Sequence, residues 1–174
     1  MTVEQNEISL IRQGEFPSRK GERPVTQHAM PHTQLSQNAP PEQYSKLAEL
    51  IFSIPGIEER RSLVSVPGAR ALWLREGSGE GPRAAFFAGR EFAHLHPAYD
   101  GSLHMTLPQP LIEEATGKGW GELHPLAEMG IAPGNFVMIY GPRNDEELKV
   151  VYSLVRYSCS FAKGEMDKVS ATVE

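Results

Sequence analysis

Glycine and proline set the grain of this chain. They make up 16 and 14 of its 174 residues, and they cut its middle into short runs. Pro55-Gly56, Pro67-Gly68, the GSGEGP stretch at 77–82, Gly89 and Gly141-Pro142 are each a turn or stop signal. A helix needs several uninterrupted turns to form, whereas a strand of five or six residues fits between such stops. Strands are therefore expected at 62–66, 69–75, 83–88, 90–96, 102–107, 120–124 and 136–140. Helical spacing appears in three places. Tyr44, Leu47, Ala48 and Ile51 share one face behind Pro41, and Leu111, Ile112 and Ala115 follow Pro110, with Gly117 suited to close that helix. Leu148, Val151, Val155, Cys159 and Ala162 form a long buried stripe that Asn144 or Asp145 can cap. Strands bracketed by helices, without strict alternation, predict an α+β fold: an antiparallel β-sheet with helices packed on one face.

Residues 1–43 are poor in apolar side chains and carry prolines at 17, 24, 31, 40 and 41. Such a segment cannot build a core of its own. It is read as a flexible tail over 1–22 and an extended Pro-rich arm over 23–40, leading into a single domain over 41–174. Seventeen Lys and Arg against 22 Asp and Glu give a net charge of −5, which argues against nucleic acid as a partner. The single cysteine, Cys159, excludes an internal disulfide framework and multi-cysteine metal sites. It is expected as a core residue. No apolar run is long enough to span a membrane, and the first residues lack the layout of a secretion signal. These features predict a cytoplasmic protein with a small-molecule substrate, and leave its oligomeric state open.

The chemistry concentrates in 90–107. On a strand, alternate residues share a face, so Phe92, His94 and His96 lie together, opposite Ala93 and Leu95. On the return strand Leu103, Met105 and Leu107 are apolar, while Ser102, His104 and Thr106 are not. Keeping the apolar sets on one face and Gly101 at the left-handed turn position pairs His96 with His104 and His94 with Thr106. Three imidazoles so placed, His94, His96 and His104, can converge on one divalent metal such as Zn, Fe, Cu or Ni. Glu122 and His124, in alternation on a later strand, are candidates for moving a proton or completing the site. Tyr140 offers a donor, and Arg143 a clamp for an anionic group. His28 and His32 read as polar residues of the arm, able to reach this face only if the arm folds over it. Trp73, Phe86 and Phe87 are expected in the core. The leading expectation is a small-molecule enzyme, a metal-dependent hydrolase or oxygenase or a histidine acid–base enzyme; the alternative is a non-catalytic domain that binds a ligand or a protein through the same face.

Four segments together carry a resemblance: PHTQL at 31–35, EFAHLHPAYDGSLHMTLP at 91–108, GWGELHPLA at 119–127 and MIYGPRNDEEL at 138–148. They are similar to the luciferase-like domain family of small bacterial and fungal proteins. The resemblance implies a shared fold and a shared site at His94, His96, His104, Glu122 and His124.

Overall fold

The computed structural model describes residues 8–166. A six-stranded sheet, antiparallel throughout, has the order β3-β4-β5-β6-β8-β7. Its strands are β3 (Ile57–Arg61), β4 (Arg70–Leu74), β5 (Glu91–Leu95), β6 (Leu103–Thr106), β7 (Gly121–Leu123) and β8 (Phe136–Ile139). Helices α1 (Pro41–Phe52), α2 (Gln109–Gly117) and α4 (Asp145–Lys163) accompany it, with α3 (Pro125–Glu128) a single turn. A two-stranded ribbon, β1 (Thr26–Gln27) and β2 (Thr33–Gln34), belongs to the arm. This is the α+β architecture expected.

The core lies between the sheet and α1 and α4. Leu47 and Ile51 of α1, Val151, Leu154 and Val155 of α4, and Leu72, Ala93, Leu95, Leu103 and Met105 of the strands are all fully buried in it. The ends of α4 follow from its sequence. Asn144 accepts a hydrogen bond from the Glu147 amide, and Gly164 closes the helix at φ 72°. Cys159 is buried on the apolar stripe.

Three expectations about strands are corrected. The first strand is Ile57–Arg61, not 62–66: its sequence Ile-Glu-Glu-Arg-Arg suits a charged sheet edge. Residues 62–66 form a loop beyond it. Residues 83–88 hold a short 3-10 turn, Arg83–Ala85, in place of a strand. The hairpin register also differs by two residues. His94, not His96, lies opposite His104, and the His96 amide donates to the Ser102 carbonyl. The cause is the turn. Asp100, 1% exposed, accepts from the Ser102 amide and hydroxyl and from the Gln34 amide. Holding this carboxylate inside lengthens the loop to 97–101, while Gly101 keeps its predicted left-handed conformation at φ 75°.

Phe92 is a further correction. The pairing of β4 with β5 slips between Leu72 and Trp73, so Phe92 has no partner across that ladder. This bulge sends Phe92 into the core beside Ala93 and brings Glu91 beneath His94 on the opposite face.

The N-terminal segment wraps around the β7 edge of the sheet. Residues 8–16 lie on the helix layer, where the Ile11 amide donates to Ser153 Oγ and the Gln13 amide to the Tyr157 hydroxyl. Phe16 enters the core. Trp120 Nε1 then donates to the Pro17 carbonyl, and Arg23 donates to the carbonyls of Gly121 and Thr116. From there the arm crosses to the far face of the sheet. Of the stretch read as a flexible tail, residues 1–7 fall outside the described residues and 8–22 are held by these contacts. Phe16 in the core, with Ile8, Leu10 and Ile11 packed against it, joins these hydrogen bonds in anchoring the segment.

Candidate active site

All six histidines of the chain gather on the far face of the sheet, with His28 and His32 contributed by the arm that crosses it. His104 is the hub. Its ring centre lies 4.7 Å from His96, 4.9 Å from His124, 5.0 Å from His32 and 5.1 Å from His94. His28 stacks edge-on to His32 at 5.4 Å. Sequence reasoning expected His28 and His32 to remain ordinary arm residues. Only the path of the arm, pinned by Arg23 and Trp120, carries them to the cluster. The β1–β2 ribbon pairs Gln27 with Thr33, which leaves His28 and His32 at its connecting end.

A line of close polar contacts threads the cluster. Glu122 Oε1 lies 2.6 Å from His32 Nε2, and His32 Nδ1 lies 2.9 Å from His104 Nε2. His104 Nδ1 is 3.0 Å from His94 Nε2, and His94 Nδ1 is 3.0 Å from Glu91 Oε1. Glu91, fully buried, also accepts from Ser62 Oγ and the Leu63 amide. His96 points its Nδ1 at Asp100 Oδ2 and Ser102 Oγ, at 3.1 and 3.0 Å.

The proton positions follow from the acceptors. A carboxylate only accepts, so Glu122 fixes the proton of His32 on Nε2, Glu91 that of His94 on Nδ1, and Asp100 that of His96 on Nδ1. His32 Nδ1 is then a lone pair and takes the Nε2 proton of His104. This leaves His104 Nδ1 bare as well. The neutral rings therefore aim two lone pairs at one another across 3.0 Å, between His104 Nδ1 and His94 Nε2. The third bare nitrogen is His96 Nε2, which has no hydrogen-bond partner among the described residues. One nitrogen each from His94, His96 and His104 falls within 4.8 Å of the others. Two lone pairs face to face repel unless a cation stands between them.

The electrostatics disfavour a proton in that role. Burial drives His104 well below the usual imidazole value, and the neighbouring rings add to this. Burial also lowers His94, against an opposing pull from Glu91. For Glu122 burial alone would raise the carboxyl, but hydrogen bonds from His32, Thr26, His28 and Tyr140 bring it to about 2. His28, bonded to Glu128 and Glu122, is raised.

A cavity of about 670 Å³ opens over the cluster, within the range of small-molecule sites. His32, His94, His96, His104 and His124 make its polar floor, and Pro31, Val64, Val66, Phe87, Leu126 and Phe136 its apolar walls. Phe87, expected in the core, is a wall residue, and the 62–66 loop supplies the valines. His124 caps α3: its Nδ1 accepts from the Leu126 amide. The Tyr140 hydroxyl donates to Glu122 Oε2 at 2.9 Å, which places Tyr140 behind Glu122 and off the cavity wall. Arg143 is not part of this constellation. Its guanidinium pairs with Glu147 at 2.6 Å and donates to Gln37 and the Lys20 carbonyl, beside a separate groove that includes Trp120 and Pro17. The strand β8 ends before it, and the Gly141-Pro142 turn carries it to the other side of the arm.

Residues 89–158 match the family model described as Luciferase domain. Over this segment the chain is similar to luciferase-like domains. It is 42% identical over 74 residues to proteins named Luciferase from Armillaria gallica and Armillaria mellea, and 40% identical to one from Neonothopanus nambi. Each match covers 41% of this chain and 28% of the relative. No solved structure matches the chain. The family segment holds β5, β6, β7, β8 and most of α4, hence four of the six histidines. The arm, with His28 and His32, lies outside it. Among the described residues no helix is long and apolar enough to cross a membrane.

Proposed function

We propose that this luciferase-like domain is an oxygenase-type enzyme that oxidises a small organic molecule at the histidine cavity, with dioxygen as the species reduced and a divalent transition metal held by His94, His96 and His104. One observation carries the metal: the facing lone pairs of His104 Nδ1 and His94 Nε2, with His96 Nε2 beside them. Each of the three rings is oriented from behind, by Glu91, by Asp100, or by Glu122 through His32. Acceptors behind ligating imidazoles fix the tautomer and raise ligand basicity. Three neutral nitrogens leave coordination positions open, and a metal there would supply Lewis-acid or redox chemistry to the bound molecule. The choice of oxidation rests on the name of the fungal relatives.

The remaining residues bind and move protons. The apolar walls exclude water around a ligand and strengthen every polar contact at the floor. Glu122, ionised and reached from solvent through His28, stands one imidazole away from His104, in position to take up a proton passed through His32.

Elemental analysis of the purified protein tests the reading. About one equivalent of transition metal is expected, lost in a His94→Ala/His96→Ala variant whose circular dichroism matches the parent. A metal-free protein that also fails to take up Zn(II), Fe(II), Cu(II) or Ni(II) from solution overturns it.

A further inference from the structure

His32, His104 and His124 also bring one nitrogen each within 4.8 Å of the others, and at first sight they form a second metal triad. The hydrogen bonds argue otherwise. His32 Nδ1 and His104 Nε2 are already joined at 2.9 Å by a proton. The bond at His124 is more decisive. The Leu126 amide donates to His124 Nδ1 at 3.1 Å, and a backbone amide cannot reverse direction. A neutral His124 therefore carries its own proton on Nε2, the nitrogen a metal would need bare. That Nε2 has no hydrogen-bond partner among the described residues. Its ring lines the cavity.

We infer that His124 is a fixed, neutral hydrogen-bond donor, whose Nε2–H binds a carbonyl or enolate oxygen of the molecule in the cavity. The inference rests on the cavity being the small-molecule site proposed above, and it assigns the chemistry of one end of that molecule. Cavity and floor divide the work. His94, His96 and His104 offer lone pairs, and His124 is the opposite pole, an N–H in a largely apolar enclosure. An oxygen that gains negative charge is the group such a donor holds best. A helix-capping imidazole kept neutral so that it can polarise a carbonyl is an established enzymatic device. The Leu126 amide on Nδ1 leaves that nitrogen no proton of its own, so the ring is held as the neutral Nε2–H form.

The test uses the full chain, zinc and acetylacetone, a small enolisable dicarbonyl. Long-range proton–nitrogen NMR of histidine-labelled protein reads the tautomer directly, and Nε2–H is expected for His124. His124→Asn keeps a side-chain acceptor for the Leu126 amide, since Asn is a favoured cap, but removes the donor. That variant should hold as much zinc per chain as the parent and bind acetylacetone about tenfold more weakly, the loss of one hydrogen bond. An Nδ1–H tautomer, loss of zinc in His124→Asn, or acetylacetone binding that is equal or absent in both proteins overturns the inference. If neither protein binds zinc but the tautomer and the acetylacetone difference hold, the donor role stands and the metal reading falls.

Discussion

Replacing Glu91 by Gln probes the lone-pair geometry from behind. Glu91 is fully buried and its Oε1 faces both His94 Nδ1 at 3.0 Å and Ser62 Oγ at 2.7 Å, while Oε2 takes the Leu63 amide at 3.2 Å. Gln keeps one acceptor oxygen and loses the charge. With that oxygen toward His94, the new NH₂ confronts the Leu63 N–H and leaves it unsatisfied, at a cost of ~1–3 kcal/mol. His94 keeps its tautomer but loses the carboxylate that makes Nε2 a stronger ligand. Substitutions of this kind weaken metal binding about 10- to 100-fold, or ~1.4–2.8 kcal/mol. Zinc competition against a chromophoric chelator at pH 7.5 measures the affinity, and urea unfolding of metal-free protein measures the stability. Ser62→Ala is the control. It removes a donor to the same carboxylate and leaves the His94 bond, so zinc affinity should stay at the parent value. The reasoning is refuted if Glu91→Gln binds zinc as tightly as the parent, or if Ser62→Ala weakens it equally.

Three further outcomes follow from the same structure. The metal-free protein should lose stability as pH falls below about 6.5, the ordinary imidazole value, because His94, His104 and His124 are lowered and the unfolded chain then binds more protons. His28, which is raised, acts in the opposite sense above that pH, and Glu122 adds a second loss between its ordinary 4.5 and about 2; a urea midpoint that climbs on acidification from pH 7 to 5 contradicts this. Phe92→Ala should cost ~3–5 kcal/mol, the range for a buried Phe; a loss below ~1 kcal/mol in urea unfolding would return Phe92 to the histidine face. Gly121→Ala should destabilise by ~1–3 kcal/mol or more, since a Cβ there would stand 2.1 Å from the Met138 carbonyl oxygen; an unchanged melting temperature would show that β7 and β8 are not packed this closely.

The helices α1, α2 and α4, the α+β class and the shared face of His94, His96 and His104 were legible from turn residues and periodicity, because these are local properties. So were the Asn144 cap, the buried stripe of α4 and the left-handed Gly101. The register was not: both pairings keep the same faces inward, and only the buried carboxylate of Asp100 distinguishes them. Nor was the bulge that exchanges Phe92 for Glu91, since a one-residue slip leaves no trace in composition. Arg143 lay close in sequence to Tyr140, yet the Gly141-Pro142 turn sends the two to different surfaces.

By itself the sequence determined which residues can do chemistry and which side of the sheet they occupy, since backbone geometry links neighbours two apart. The tertiary structure alone decided that His28 and His32 join them, that Glu91 and Asp100 stand behind two of the rings, and that bare nitrogens meet at 3.0 Å. Those facts depend on contacts between segments as far apart as residues 32 and 104. Such contacts are set by the packing of the whole chain, and no window of sequence contains them.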